Sequence, residues 1–151
     1  MKEFKFISQN EEDTIHFGLK ISQLIQEGMV ILLQGDLGVG KTTFTKGLAS
    51  GMGIKRNITS PTFTIMKVYH GKHTLYHIDA YRLEGINQDL GFEDYIYDDG
   101  ITVIEWPEYF DLSLINEYLK VEFFYLDDGK RELRLYANGK IYEDLLEELS
   151  C

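Results

Sequence analysis

Cysteine and proline are nearly missing from this chain. The single cysteine, Cys151, is the last residue, so no intrachain disulfide can form and a cysteine-based metal site is excluded. That usage fits a reducing compartment. Long apolar runs are missing as well. The longest, 29–33, is far shorter than the roughly 20 residues of a membrane-spanning helix. Residues 1–13 hold no apolar core of a secretory leader. A soluble, cytoplasmic protein without membrane contact is expected. Arginine is scarce: Arg56, Arg82, Arg131 and Arg134 are the only four.

What is present is ordinary for a folded domain. The 151 residues are 44% hydrophobic and 26% charged, which argues against disorder, and the length fits one domain spanning 1–151. The net charge of −10 is unevenly spread. Residues 1–83 carry ten Lys and Arg against seven Asp and Glu, whereas 84–151 carry five against eighteen. An acidic chain repels phosphate backbones, so broad electrostatic binding of RNA or DNA is not expected. The acidic half reads as a solvated face or, more sharply, as a docking surface for a basic partner.

The pattern along the chain alternates strand and helix. Residues 4–7 form a strand candidate. Ser8 with Glu11 three residues on has the form of a capping box. Ile15, Leu19, Leu24 and Ile25 then continue at helical spacing, and Gly28 is placed to stop that helix. The apolar run 29–33 suits a strand buried on both faces of a parallel sheet. Helical spacing follows over 42–52. Hairpins are expected around Gly71 and Lys72 and around 127–130, helix and turn over 84–95, a second buried strand over 101–104, and a closing helix over 141–149. The fold class is α/β, a three-layer sandwich of the P-loop NTPase type with a parallel core sheet and antiparallel additions.

Gly35, Asp36, Leu37, Gly38, Val39, Gly40, Lys41 and Thr42 match the phosphate-loop pattern between the best buried strand and a helix. Glycines let backbone N–H groups approach phosphates, and the following helix points its positive end at the same anion. Lys41 is the mobile charge for the β- and γ-phosphates, and Thr42 offers a hydroxyl to Mg²⁺. A nucleotidase also needs carboxylates near the metal and the attacking water. Two strand-like runs end in them, at Asp79 and Glu105. Ligands collect at the carboxyl ends of parallel strands. Glu105 is the first choice for the metal and Asp79 the second, or a water-orienting group. His73, His77 and Asp79 share parity on one strand with His70 across the turn, a spacing that imitates a zinc site. Histidines on a half-exposed hairpin account for it better.

Four segments in order give the chain a family likeness: residues 35–43 ending in Thr43, then Ser60, Pro61, Thr62, Phe63 and Thr64, then 77–82 from His77 through Asp79 to Arg82, and 105–108 from Glu105 and Trp106. The sequence resembles TsaE (YjeE), the small bacterial P-loop ATPases needed for threonylcarbamoyladenosine formation on tRNA. The resemblance implies that Thr42 and Glu105 bind Mg²⁺, that Asp79 is needed for hydrolysis, and that Ser60, Pro61 and Thr62 form a nucleotide-sensing switch. It implies functional importance for Trp106 and places Arg82 in a family motif. Glu11 and Lys130 fall where the family contacts nucleotide, although Glu11 also reads as the capping partner of Ser8. The implied partners are TsaD and TsaB, with tRNA reached only through the complex. Hydrolysis would reset that complex between turnovers.

Rival readings are a small P-loop kinase, a GTPase switch and a non-enzymatic nucleotide-binding adaptor. A kinase needs cations over its transferring phosphoryl group, and arginine is scarce. The guanine-reading Asn-Lys-x-Asp segment is absent. An adaptor would leave Asp79 and Glu105 without a task.

Overall fold

The computed structural model describes residues 2–36, 38–59, 66–83, 100–109, 113 and 115–150, with backbone alone at 82, 83 and 109. The expected helix and turn over 84–95, Leu37, and the segment of Ser60, Pro61 and Thr62 lie outside these residues.

Seven strands form one sheet: β1 (Glu3–Ser8), β2 (Val30–Gln34), β3 (Met66–Tyr69), β4 (Leu75–Asp79), β5 (Ile101–Glu105), β6 (Tyr118–Tyr125) and β7 (Arg131–Asn138). Their order is β1-β7-β6-β2-β5-β4-β3. The four central strands, β6, β2, β5 and β4, run parallel, and both edges are antiparallel. β2 sits in the middle with Val30, Ile31, Leu32 and Leu33 all buried, which is why its sequence is continuously apolar rather than alternating. Both expected hairpins form, β3–β4 and β6–β7.

Hydrophobic cores lie on both faces of the sheet, as the middle layer of a sandwich requires. The larger core takes Ile31 and Leu33 of β2, Val103 of β5, Val121 of β6 and Leu135 of β7. Against them pack α1 (Glu11–Ser22), α2 (Lys41–Gly51) and α3 (Lys140–Leu149). A row of rings crosses this core from β1 to β6: Phe6 stacks on Phe17 at 4.2 Å, Phe17 meets Phe44, and Phe44 meets Phe123 edge-on at 5.8 Å. The smaller core holds Val30, Leu32, Ile78 and Ile104 on the opposite face. Tyr142 of α3 ties the closing helix to the centre by accepting the Val30 N–H at 2.8 Å.

Two boundaries differ from the sequence expectation. The cap of α1 is Asn10, whose side chain accepts the Asp13 N–H at 2.8 Å, while the Asp13 carboxylate accepts the Gln9 N–H. Ser8 instead ends β1, buried, with its hydroxyl on the Asn10 carbonyl and the Thr14 hydroxyl. Glu11 is therefore freed from capping. The helix also ends at Ser22 and not at Gly28. Leu24 and Ile25 keep packing on the core from a turn, so their spacing outlasts the helix.

α1 and α2 cross with backbone against backbone. A Cβ on Gly47 would lie 2.0 Å from the Ile15 carbonyl oxygen, and one on Gly18 would lie 2.4 Å from that of Phe44. Glycine at 18 and 47 is what lets the helices approach, and this approach sets the N-termini of α1 and α2 beside each other. Gly47→Ala should cost about 1–3 kcal/mol by forcing the helices apart, although alanine favours an isolated helix. Urea unfolding reads this directly. An unchanged midpoint would show that the crossing tolerates separation.

Candidate nucleotide and metal site

β2 ends at Gln34 and α2 begins at Lys41, so the glycine-rich segment is the connection between a central parallel strand and a helix. Gly38 and Gly40 hold φ of 79° and 116°. A Cβ on Gly40 would meet nothing within 4 Å, so glycine is needed there for the backbone conformation and not for space. Gly40 caps α2 without any side-chain bond, and the first turn holds no acidic residue. The opening N–H groups of that helix are thus left for an anion. Thr42 and Thr43 stand in this turn, half-buried.

Lys41 is folded back into the protein, with only 4% of its surface exposed. Its Nζ donates to the Gly35 carbonyl at 2.7 Å, lies 3.9 Å from the centre of the Trp106 ring, and is 4.0 Å from Glu105 Oε1. Burial pushes the Lys41 ammonium below its ordinary value, against the opposing pull of Glu105, Asp79, Glu108 and Asp36. Trp106 reaches this place through an unusual backbone. Its φ is 58°, a left-handed conformation that a bulky residue seldom adopts, and its N–H donates to Leu33 at 3.2 Å. The ring then contacts both Lys41 and Tyr81.

Asp79 and Glu105 are register partners at the ends of the parallel pair β4 and β5, so the sheet brings both expected carboxylates to one edge and one face. Asp79 accepts the Tyr81 N–H at 3.0 Å. Desolvation raises its carboxyl above the usual range, more than the Tyr81 bond lowers it. Glu105 shares its other oxygen with His77, Nε2 to Oε2 at 2.5 Å. His77 is fully buried, which corrects the expectation of a half-exposed hairpin histidine. Strand parity pointed to it, since residues 77 and 79 share a face, but the partner is Glu105 on the neighbouring strand. His73 stands apart, facing Glu27 at 3.3 Å. Among the described residues no three His, Cys, Asp or Glu gather as a metal cluster.

A cavity of about 270 Å³ opens beside the loop. It is lined by Asn10, Glu11 and Thr14 of α1, residues 38–40, Thr43, Gly129 and Arg131. Glu11 thus faces the glycine-rich loop, and Lys130 sits in the chain between two lining residues. Arg131 was not singled out by its sequence context. Its Nε donates to the Val39 carbonyl at 3.0 Å and its guanidinium lies 4.4 Å over the Tyr125 ring, fastening the β6–β7 turn to the loop. Leu37 and the segment of Ser60, Pro61 and Thr62 lie outside the described residues. Arg82 has its backbone in the 3₁₀ turn Ala80–Leu83 after β4.

A glycine-rich loop between a central parallel strand and a helix, with paired carboxylates at the neighbouring strand ends, defines an α/β protein of the P-loop type. The chain belongs to the TsaE family: residues 8–133 match the family of the threonylcarbamoyl adenosine biosynthesis protein TsaE. It is 42% identical over 151 residues to a Bacillus subtilis protein named tRNA threonylcarbamoyladenosine biosynthesis protein TsaE, covering 99% of this chain and 96% of that one. A Treponema pallidum protein of the same name is 44% identical over 129 residues, covering 84% of this chain and 96% of its own. The crystal structure of Bacillus subtilis YdiB superposes with a TM-score of 0.87 at 37% identity, covering 99% of this chain and 95% of that one.

The raised carboxyl of Asp79 gives a stability prediction with a definite sign. A folded-state value above the unfolded one means that the ionised carboxylate weakens the fold above that value. The weakening disappears as pH falls through it. Asp79→Asn keeps an oxygen for the Tyr81 N–H and removes the charge. The variant should melt above the wild type at pH 7–8, with the gap closing below about pH 4. Calorimetric melting across that range checks it, and a gap that widens in acid would reverse the assignment.

Proposed function

We propose that this chain, acting as a single domain over 1–151, is a magnesium-dependent ATPase that supports threonylcarbamoyladenosine modification of tRNA in the cytoplasm. It works with TsaD and TsaB and hydrolyses ATP to ADP and phosphate, resetting the complex between turnovers. Family membership and the names of its relatives support the pathway. One structural observation carries the chemistry: a single buried ammonium, Lys41, lies on the Gly35 carbonyl of the glycine-rich loop, 4.0 Å from Glu105, whose strand partner is Asp79.

That arrangement holds more negative than positive charge, at a place built from helix N–H groups to receive an anion. Polyphosphate fits there only with a hard cation, and the neighbouring oxygen donors of Thr42, Glu105 and Asp79 are of the kind magnesium takes. Thr42 and Glu105 would hold Mg²⁺, which would supply positive charge against the negative charge developing on the phosphate. The rest falls to the chain's own groups. The backbone at 38–40 and the first turn of α2 cradle the phosphates. Lys41 exchanges the Gly35 carbonyl for a phosphate oxygen and keeps its position through Trp106. Asp79, with its raised carboxyl, orients the attacking water. Glu11, Thr43 and Arg131 border the adjoining cavity and hold the rest of the nucleotide, with Lys130 beside them. Ser60, Pro61 and Thr62 sense the γ-phosphate, and Arg82 and Trp106 lie toward the partner side.

Phosphate release and nucleotide calorimetry test the reading. Lys41→Ala should lower turnover by about 100-fold or more at saturating ATP. Near-normal hydrolysis in that variant would sink the proposal. Glu105→Gln should shift the magnesium dependence to higher concentration by about tenfold or more, because the amide offers no charge to a hard cation. Asp79→Asn should keep MgATP binding and lose turnover. A magnesium titration of both variants tells the two carboxylates apart.

A further inference from the structure

Away from the loop, the outer side of α2 borders a second cavity of about 270 Å³. Its rim carries Lys46, Lys55 and Arg56, all exposed, and its floor is Ala49, Ile54 and Ile58. No carboxylate among the described residues lines it. Among the described residues Lys46 and Lys55 have neither an ion pair nor a hydrogen bond, while Arg56 lies 5.3 Å over the Tyr69 ring. In a chain of net charge −10, three cations around one cavity with no counter-charge among the described residues form a local exception.

We infer that this groove is a docking site for an acidic segment of a partner protein, a short stretch bearing carboxylates. The inference rests on the partner reading proposed above. Charge complementarity identifies the occupant, since cations on a rim match carboxylates. The net charge of −10 on the chain disfavours a nucleic-acid backbone, which a local cluster of three cations would have to hold against the repulsion of the rest of the surface. The position gives docking a consequence. Thr42, Lys46 and Ala49 follow one another on one stripe of α2, and Lys46 lies about 6 Å along the axis from Thr42. The other wall of the groove, 54–58, belongs to the segment that leads into Ser60, Pro61 and Thr62. A partner seated here grips both the helix that begins at the phosphate loop and the chain that enters the proposed switch.

The test compares the full-length wild type with Lys46→Glu/Lys55→Glu, and with the triple variant that adds Arg56→Glu. The double variant leaves the Arg56 contact with Tyr69 intact should the triple variant fold poorly. Three probes are used: the cognate TsaD–TsaB complex, a synthetic twelve-residue peptide of Glu and Leu at helical spacing, and a single-stranded RNA of equal charge. Expected are MgADP affinity within about twofold of wild type, a loss of about tenfold or more in affinity for the complex, and peptide-induced amide shifts at Ala49, Ser50 and Asn57 that fade with salt and vanish in the variants. Unchanged binding of the complex by both variants overturns the inference. So does RNA producing the same shifts more tightly than the peptide, which would make the groove a nucleic-acid site. If the wild type binds the peptide at these residues but not the TsaD–TsaB complex, the groove stands and the partner reading falls. If neither probe responds to the substitutions, the groove is not a docking site.

Discussion

Strand register at the centre of the sheet governs the site. Leu33 of β2 pairs with Glu105 of β5, and Glu105 pairs with Asp79 of β4, so three neighbouring parallel strands finish on one level. The glycine-rich loop leaves β2 at that level, and the Trp106 N–H extends the same ladder onto Leu33. A slip of one residue between β2 and β5 would turn Glu105 to the opposite face, away from Lys41 and His77. The apolar run of β5 reads the same on both faces, so it does not select the register by itself. Glu105 is the one charged residue of that strand, and its buried partners His77 and Lys41 meet it on one face only, so the placement of this charge distinguishes the register.

Lys41 shows how the protein holds a charge in place before a ligand arrives. Removing an ammonium from water is costly, and the downward shift of its pKa records that cost. A carbonyl, an indole face and a carboxylate at 4.0 Å compensate in part. The result is a cation held in one place by three different contacts, and under the ATPase reading proposed above a phosphate oxygen would take the place of the Gly35 carbonyl. Glu105 is divided in the same way between His77 and Lys41, one oxygen to each.

The parts of this structure that were legible in the sequence are those whose cause is local. Gly38, Gly40, Lys41 and Thr42 announce a loop and a helix start because the backbone conformation and the chemistry both depend on neighbours a few residues away. Asp79 and Glu105 were legible because each ends an apolar run. The parts that were hidden depend on distant contacts. The bond from Arg131 to Val39 joins residues 92 apart, and His77 meets Glu105 across 28. The cap of α1 was misplaced for a different reason. Ser8 and Asn10 are both good caps, and only the pairing of β1 with β7 up to Ser8 shows that the strand claims the serine first. Gly28 was likewise a plausible stop, but the chain turns at Ser22 so that β2 can enter the sheet.

Trp106 is the only tryptophan in the chain, and its ring rests on the Lys41 ammonium. The molecule thus carries a built-in optical reporter, because indole emission responds to a cation lying against its face. Every other fluorescent side chain is a tyrosine, and excitation at the red edge of the indole band passes over tyrosine. Light emitted from the indole therefore reports on the surroundings of the Trp106 ring, where Lys41 and Tyr81 lie. The left-handed backbone that places the ring there ties that signal to geometry: a turn at residue 106 that relaxed would carry the indole off the Lys41 ammonium.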